Sequence, residues 1–478
     1  MRKGVLENML KTIDDLVLAV SDFLYDPWVP LFLVVAGLVF TVATKFMQVR
    51  LLKESIHVVM EKPKTEGGMS SFGALMISTA SRVGTGNIVG VATAICLGGV
   101  GAVFWMWFIA IFGGASAFVE STLAQIYKKK NPDGSSYGGP SYYMESALRM
   151  PWLGMIFSVI IILTYAVGYN ALASYNLQSA FSGFGFYSED ITPAIVGAIL
   201  AVLFAVCIMG GGRRLAKVTG VLVPVMGVIY IVVALVIVVM NLGKMPAVFG
   251  AIFSNAFDFN AIFGGFSGSC LMYGIKRGLY SNEAGMGSAP NAAASADVSH
   301  PVKQGLVQML SVFLDTLLIC SATAFMCLTS DVTPTAELAG APYVQAALQD
   351  NLGAIGPVFI AVSMALFAFT TLIGNYYYCE GCLRYILKRT PSKQFMTGFR
   401  IVAAVIVFVG AIASMGLVWN IADLLQGLMV IINIPVILLL IRPAIRALND
   451  YQKQRSEGKD PRFHAADIGL AGKTDFWQ

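Results

Sequence analysis

Charged residues are scarce in this chain. Asp, Glu, Lys and Arg make up 12% of its 478 residues, whereas hydrophobic residues make up 57%. Soluble domains carry roughly a quarter charged residues, so this deficit argues against a water-soluble enzyme of several domains. Long apolar runs at 156–167 and 221–240 show no alternation, which excludes a transmembrane β-barrel. The chain is therefore predicted to be an all-α membrane protein whose apolar excess faces the lipid bilayer.

The sequence also lacks the residue patterns of catalysis and of nucleic-acid binding. It has three histidines and contains no HExxH or DDxxD motif. Cys379 and Cys382 form a CxxC pair, but no thioredoxin-like βαβ pattern surrounds it, so we interpret the pair as small residues at a helix end. No basic tract carries interleaved aromatic residues. We therefore expect no enzyme activity, no organic cofactor and no nucleic-acid partner.

Apolar runs with polar boundaries predict about eleven membrane helices. Lys and Arg cluster in every second loop, and the intervening loops carry mainly acidic residues. Because cytoplasmic loops are enriched in Lys and Arg, this alternation predicts a multi-pass protein of the cell membrane with its N-terminal segment outside and its C-terminal segment in the cytoplasm. The expected spans are 28–49, 71–97, 101–127, 150–182, 191–209, 215–241, 262–280, 303–329, 353–387, 397–415 and 418–441.

Glycine interrupts two of these spans. Span 2 contains ASRVGTGN at residues 80–87, and span 7 begins with FGGFSGS at residues 263–269. A glycine costs about 1 kcal/mol relative to alanine in a helix interior, and an arginine at mid-bilayer costs roughly 2.5 to 3.5 kcal/mol. Close helix packing is the alternative explanation for the glycines, but it does not account for Arg82, Thr85 and Asn87. Both spans are therefore predicted to be partly unwound.

The positions of the two interruptions predict the architecture. Without span 1, spans 2 to 6 and 7 to 11 form two sets of five, and each set opens with its interrupted member. Because five is odd, the second set is inverted, as in secondary transporters with a binding site at mid-membrane. Unwinding exposes N–H groups suited to a carboxylate and carbonyls suited to a small cation. The predicted divisions are an outside segment 1–27, an extra helix with its cytoplasmic loop 28–70, repeats 71–241 and 242–441, and a cytoplasmic tail 442–478.

Three motifs resemble one transporter family. GTGNIVGVATAI at 84–95, GGVGAVFWMW at 98–107 and RGLYSNEAGMGSAP at 277–290 are similar to the signature of the alanine or glycine:cation symporters. The resemblance implies a five-plus-five inverted-repeat fold with one extra N-terminal helix. It also implies sodium-coupled symport of a small neutral amino acid, alanine above all, or else glycine, serine or glutamine. Proton coupling is the alternative within the same fold; a channel or a membrane enzyme is the alternative outside it.

The resemblance extends to the neurotransmitter:sodium symporters, whose GxGN break matches residues 84–87. It implies that the backbone N–H groups of Thr85 and Gly86 receive the substrate carboxylate. It also implies a sodium ion held by unwound carbonyls and by hydroxyls of span 9. The alternative for those hydroxyls is hydrogen bonding to carbonyls of their own helix. The predicted sodium ligands are Ala80, Val83, Asn87, Thr370 and Thr371.

Two departures from the family pattern bear on the substrate. Ala173 stands where many members carry glutamine between two asparagines, and Asn375 stands where some carry tryptophan. Both departures remove bulk, so the possibility of a substrate larger than alanine stays open. The sequence leaves open the substrate's stereochemistry, the ion stoichiometry and the oligomeric state, which includes a monomer. The predicted substrate contacts are Ser81, Gly84, Thr85, Gly86, Asn170, Ala173, Gly265, Phe266, Ser267, Gly268 and Asn375.

Four acids lie within or near the predicted spans: Glu120, Asp315, Glu380 and Asp423. Ionisable groups inside a membrane are functional candidates, although structural pairing is an equal alternative for Glu120 and Glu380. Arg82 is expected to pair with one of these acids or with carbonyls of span 7.

Overall fold

The computed structural model describes residues 2–66, 68–131, 134–258, 262, 265 and 268–477. Within this part the chain is almost wholly helical, and its single sheet is the antiparallel hairpin of β1 (Lys129–Lys130) and β2 (Ser136–Tyr137). Before the hairpin lie α1 (Arg2–Tyr25), α2 (Trp28–Ala43), α3 (Met47–Arg50), α4 (Leu52–Val59), α5 (Ser71–Arg82), α6 (Val89–Gly98) and α7 (Ala102–Ile126).

Fifteen helices follow the hairpin in the described residues, and π-helical turns join α9 to α10 and α16 to α17. They are α8 (Pro140–Leu148), α9 (Pro151–Ile162), α10 (Tyr169–Ser179), α11 (Thr192–Ile208), α12 (Gly211–Met240), α13 (Met245–Ala256), α14 (Cys270–Asn282), α15 (Pro290–Ala293), α16 (Pro301–Val312), α17 (Ser321–Leu328), α18 (Ala341–Leu352), α19 (Ile355–Leu387), α20 (Lys393–Ile412), α21 (Met415–Leu439) and α22 (Ile441–Ser456).

Eight helices of the described chain are long and apolar enough to cross a membrane, and one bent pair makes a ninth span. The other two expected spans correspond to α11, a 17-residue apolar helix, and to the 13-residue α14. The eight are Asp14–Ala43, Ala102–Ile126, Pro151–Ser179, Arg214–Met240, Pro301–Leu328, Ile355–Leu387, Lys393–Ile412 and Met415–Leu439.

The bent pair is the first interrupted span, as the sequence predicts. Helix α5 ends at Arg82, and the chain turns by 57° before continuing into α6. Gly84 is extended, with φ −141° and ψ −156°, and Thr85–Asn87 forms one turn of 3-10 helix. The break lies after the first 12 helical residues, near the middle of the span.

The second interruption lies further along the chain than the sequence indicates. Gly265 and Gly268 precede α14, whose N-terminus is capped by the Ser269 side chain. The chain leaves the helix only after Asn282 and turns through residues 283–289 before α15 begins. Three residues of this turn have positive φ, a backbone conformation that no right-handed helix contains: Glu283 (55°), Gly285 (83°) and Gly287 (79°).

Ion pairs connect several of the basic segments with one another, and we call the side of the bundle on which they lie the basic face. Lys388 Nζ lies 2.7 Å from Glu145, Lys303 Nζ lies 2.8 Å from Glu61, and Lys129 Nζ lies 2.6 Å from Asp475. These pairs connect loops that the sequence assigns to the same side.

Lys276 and Arg277, which the sequence places at the end of span 7 beside a basic loop, lie elsewhere. Lys276 and Arg277 are inside α14 rather than in the loop after it. Lys276 Nζ lies 3.8 Å from Asp22, and Arg277 Nη2 lies 2.8 Å from Asp423. They are therefore part of the helix bundle and do not contribute to the basic face.

Gly374 is the point at which α19 meets α5. A Cβ on Gly374 would lie 2.5 Å from the Ser81 backbone nitrogen, whereas a Cβ on the exposed Gly398 of α20 would contact nothing within 4 Å. We expect Gly374→Ala to lower the free energy of unfolding by about 1 to 3 kcal/mol, the usual cost of overpacking. Gly398→Ala should be neutral or stabilising because alanine favours the helix. Thermal unfolding in detergent compares them, and equal shifts would contradict this packing.

Candidate functional site

The first break, the non-α-helical stretch between α5 and α6 at residues 83–88, frees two backbone carbonyls. In a continuous helix, the N–H of Gly84 would donate to the carbonyl of Ala80, and the N–H of Asn87 to that of Val83. Instead, Gly84 N donates to Asn87 Oδ1 at 2.8 Å, and Asn87 N donates to Gly84 O at 3.2 Å. The carbonyls of Ala80 and Val83, both predicted sodium ligands, are thus released from the helical pattern.

The two adjacent threonines of α19 behave differently. Thr370 Oγ1 lies 3.0 Å from Leu366 O and 3.1 Å from Phe367 O, the back-bonding arrangement expected as the alternative. Thr371 Oγ1 is buried and has no hydrogen-bond partner among the described residues. It lies so close to Gly84 that a Cβ there would collide with it. Thr371 alone therefore offers a free oxygen to the unwound segment.

These oxygens fit a sodium ion. Small hard cations prefer oxygen ligands, and unwound carbonyls are a recurring source of them in transporters. The Thr371 hydroxyl is a buried polar atom that a ligand would satisfy. Ala80, Val83 and Thr371 are the residues that would hold the ion.

Asn87 is committed to other partners. Its amide oxygen accepts from Gly84, and its amide nitrogen lies 2.7 Å from Asp315 Oδ1 and 3.0 Å from Ser281 Oγ. Asp315 also accepts from Ser281 Oγ at 2.7 Å and from Thr316 Oγ1 at 2.8 Å. Asn87 therefore connects the first break to α14 and to the π-helical turn after α16. Its role as a sodium ligand stays a prediction.

A chain of polar side chains crosses the site from one break to the other. Ser81 Oγ lies 2.9 Å from Glu283 Oε1 and 2.8 Å from Asn375 Oδ1. Asn375 Nδ2 donates to Asn170 Oδ1 at 3.0 Å. Four elements thus meet here: α5, the second break, α19 and α10. Three predicted substrate contacts, Ser81, Asn170 and Asn375, are brought together in this chain.

One face of α10 lies against the first break. Asn176 Nδ2 donates to Thr85 Oγ1 at 3.0 Å, and Ala173 is fully buried one turn earlier on the same helix. Asn170 Nδ2 and Asn176 Oδ1 are buried without a partner in the described part of the chain. A donor and an acceptor are therefore available on this face, with the small Ala173 between them.

Gly86 allows an aromatic ring to contact the break. A Cβ on Gly86 would lie 2.7 Å from the Tyr280 ring. Tyr280 packs edge-on against Tyr169 and Trp419, at centroid distances of 4.9 and 5.2 Å. The Arg277 guanidinium lies 4.0 Å from the Trp419 ring centroid. Aromatic rings in edge-to-face contact therefore run from the site to the buried Arg277–Asp423 ion pair.

Of the predicted contacts of span 7, only Gly265 and Gly268 lie within the described residues. Gly265 and Gly268 precede α14, and a Cβ on either would contact nothing within 4 Å. Phe266 and Ser267 lie outside the described residues. Their role in substrate binding stays a prediction.

A glutamate holds the second break in shape. Glu120 of α7 is fully buried, and its carboxylate accepts from Gly285 N at 3.4 Å, from Gly287 N at 3.0 Å and from Asn433 Nδ2 at 2.9 Å. Asn433 Oδ1 accepts from Tyr143 OH at 2.6 Å. The N–H groups of Gly285 and Gly287 lie outside any helix and have no helical acceptor. They donate instead to the carboxylate that α7 supplies. These contacts suit a structural role, and the choice between the two alternatives for Glu120 stays a prediction.

Arg82 does not pair as expected. Its Nη1 lies 3.3 Å from Gln308 O and 3.2 Å from Gln308 Oε1, on α16. No acidic oxygen of the described residues lies within ion-pair distance of it. The break and Gln308 are distant in sequence, so neither hydropathy nor spacing indicated this partner.

A cavity of about 680 Å³ opens at the basic face. Its wall includes Asn291 of α15, Tyr377 and Glu380 of α19, and Tyr137 of the hairpin. The neighbouring Tyr376 does not line this cavity, and its hydroxyl accepts from Arg400 Nε at 2.8 Å. The cavity therefore leads from the basic face to α15, the short helix that follows the second break at residues 283–289.

Sequence reasoning missed Glu283, Tyr280 and the aromatic chain. The signal was available in part, because Tyr280 and Glu283 fall inside the motif at 277–290. Their function depends on the left-handed turn after α14, which no hydropathy pattern reveals.

Comparison with known proteins gives a consistent result. Residues 10–465 match the profile of the sodium:alanine symporter family. The probable sodium/glutamine symporter GlnT of Bacillus subtilis is 46% identical over 95% of this chain and 94% of its own length. The sodium/alanine symporter AgcS of Methanococcus maripaludis is 38% identical over 92% of this chain and 98% of its own length. Because these relatives are symporters, the expectation of a carrier rather than an enzyme is confirmed.

A solved structure supports the fold. MhsT in complex with L-phenylalanine superposes with a TM-score of 0.57 at 15% identity, covering 80% of this chain and 92% of MhsT. The predicted inverted-repeat membrane fold is thereby confirmed. With its two broken spans and a profile match along nearly its whole length, the chain belongs to the sodium:alanine symporter family.

Proposed function

We propose that this protein carries a small neutral amino acid together with sodium across the cell membrane by alternating access. One observation carries the proposal: the Thr371 hydroxyl, which has no hydrogen-bond partner among the described residues, faces the break at which the carbonyls of Ala80 and Val83 are released. An arrangement of oxygens in a buried, unwound segment suits a cation. Alanine is the proposed principal substrate.

The neighbouring polar groups suit the substrate. The N–H groups of Thr85 and Gly86 would receive the carboxylate at the start of the second half-helix, where the helix dipole favours an anion. Asn170 Nδ2 and Asn176 Oδ1 supply further hydrogen bonds. The carboxylate of Glu283, 2.9 Å from Ser81 Oγ, suits the ammonium group.

The small Ala173 leaves room for a larger side chain. The names of GlnT and AgcS refer to glutamine and to alanine respectively. We therefore include serine and glutamine among the candidate substrates, together with glycine.

The basic face is proposed to be cytoplasmic because Lys and Arg are retained on that side. The cavity beside Asn291 would then be the release path. Repeats 71–241 and 242–441 are proposed as the two halves that move relative to each other.

The sodium gradient would provide sufficient driving force. A membrane potential of about 150 mV contributes roughly 3.5 kcal/mol for each translocated charge. A tenfold sodium gradient adds about 1.4 kcal/mol. Together they support roughly three to four decades of accumulation per ion.

Uptake of radiolabelled alanine into proteoliposomes tests the proposal. We expect an inward sodium gradient to drive uptake above equilibrium and an inward proton gradient alone not to do so. Uptake that ignores sodium but follows protons would favour the alternative coupling ion. Uptake that never saturates, without counterflow, would indicate a channel. Competition by unlabelled glycine, serine, glutamine and the D-isomers then defines the substrate range.

A further inference from the structure

Residues 459–477 form a segment that covers part of the basic face, and we call them the docking segment. Phe463 N donates to Ser299 O at 3.0 Å, and Trp477 Nε1 donates to Gln125 O at 2.7 Å. Asp460 lies 2.9 Å from Lys303 Nζ. The segment is thereby attached to the end of α7 and to the chain just before α16.

Two aromatic rings of the docking segment enclose a lysine. Lys128 is fully buried, and its Nζ lies 4.0 Å from the Phe476 ring centroid and 4.8 Å from that of Trp477. The ammonium also donates to Ala296 O at 3.1 Å. Burial lowers the pKa of Lys128 to about 7, while Asp297 acts against this shift. A cation–π contact of a desolvated ammonium is stronger than an exposed one, so the rings and the lysine stabilise each other.

The groups beneath the docking segment hold the second broken span. Gln125 Nε2 lies 2.5 Å from Ala293 O and 3.0 Å from Ala296 O. Ser136 Oγ of β2 donates to Ala294 O at 2.8 Å. The carbonyls at the end of α15 and just after it are therefore bound by α7 and the hairpin.

The docking segment also borders the cavity. Phe476 lines it together with Asn291 and Ser295, which belong to α15 and the turn after it. A movement of α15 away from α7 would widen this cavity. It would break the Gln125 hydrogen bonds and uncover Lys128 unless the docking segment moved as well.

We propose that the docking segment is a latch that keeps α15 against α7 and so favours the closed form of the basic-face cavity. Transport then requires the latch to loosen each time the cavity opens. The proposal deepens the proposed function and rests on it, because opening and closing of one face is a step of alternating access.

The accessibility of Ser295→Cys tests the latch. Cys96 is half-buried and the other six cysteines are buried, so a new thiol in the cavity wall has a low background. The assay measures labelling of this cysteine by a membrane-impermeant maleimide in lipid nanodiscs. Adding Phe476→Ala and Trp477→Ala should make labelling about fivefold faster, because loss of the cation–π contacts shifts the equilibrium from the closed form toward the open form.

Matched variants separate the latch from general damage. Glu457→Gln removes only the exposed ion pair to Lys459 and should leave labelling unchanged. Trp477→Phe keeps a ring but removes the donor to Gln125 O, and should give an intermediate rate. If the double alanine variant unfolds, Trp477→Phe alone decides the question. Labelling that is equal in the wild type and in every folded docking-segment variant would overturn the proposal.

This measurement needs neither alanine nor sodium. A faster labelling rate would therefore support the latch even if uptake assays rejected sodium:alanine symport. Conversely, sodium-driven uptake with unchanged labelling would leave the proposed function intact and reject the latch.

Discussion

Thr371→Ala is expected to raise the sodium concentration needed for half-maximal uptake by about tenfold or more, since hydrogen bonds and ligand contacts of charged groups contribute roughly 1.5 to 3 kcal/mol. The Thr371 hydroxyl is buried, lacks a partner in the described residues and faces Gly84. Removing it takes one oxygen from the ion but leaves the substrate contacts on α10. Alanine uptake measured over a series of sodium concentrations gives the effect.

Thr370→Ala is the matched control for this prediction. It is the same change at the adjacent position, but the Thr370 hydroxyl is bonded to carbonyls of its own helix. We expect the sodium concentration for half-maximal uptake to stay within about twofold of the wild type, because this hydroxyl bonds within its own helix and such a bond contributes little to stability. If Thr371→Ala changed only the apparent alanine affinity, or if both variants behaved alike, the ion site would be misplaced. Sodium-dependent thermal stabilisation of the purified protein provides a second readout without transport.

Glu120→Gln is expected to reduce uptake at least about tenfold and to lower the free energy of unfolding by about 1 to 3 kcal/mol, the cost of leaving a buried donor unsatisfied. The carboxylate accepts from Gly285 N, Gly287 N and Asn433 Nδ2. A glutamine of nearly the same shape places an NH2 group on this cluster of donors. Thermal unfolding and initial uptake rates measure the two effects.

Glu145→Gln makes the same substitution where the consequence should be small. Glu145 forms a partly exposed pair with Lys388 at 2.7 Å, and such pairs are worth about 0 to 1 kcal/mol. We expect nearly wild-type stability and uptake. A Glu120→Gln protein that is as stable and as active as Glu145→Gln would show that the second break keeps its shape without the carboxylate.

The first break illustrates what a sequence can reveal. Two glycines beside an arginine and an asparagine inside an apolar run conflict with a continuous membrane helix, and the chain does bend there by 57°. The conflict is local, so the residues that cause it also mark its position. The freed carbonyls of Ala80 and Val83 follow from the same local geometry.

The second break could not be placed in this way. Its glycines at 263–269 precede α14, whereas the turn occurs at Glu283, Gly285 and Gly287. That turn depends on the Glu120 carboxylate, which accepts from Gly285 N and Gly287 N, and on Asn433 Nδ2, which donates to Gly285 O at 2.9 Å. Both residues lie far away in the chain. No sequence pattern within 283–289 indicates that Glu120 of α7 will pack against this turn.

The sequence by itself determined the membrane class, the approximate spans, the first break and the family, because hydropathy and motif spacing are properties of neighbouring residues. Only the tertiary structure decided that the Thr371 hydroxyl, unlike that of Thr370, has no partner among the described residues, that Arg82 meets Gln308 and that Lys128 lies beneath Phe476 and Trp477. Whether a buried polar group is satisfied depends on the atoms that folding brings beside it, and these come from distant parts of the chain.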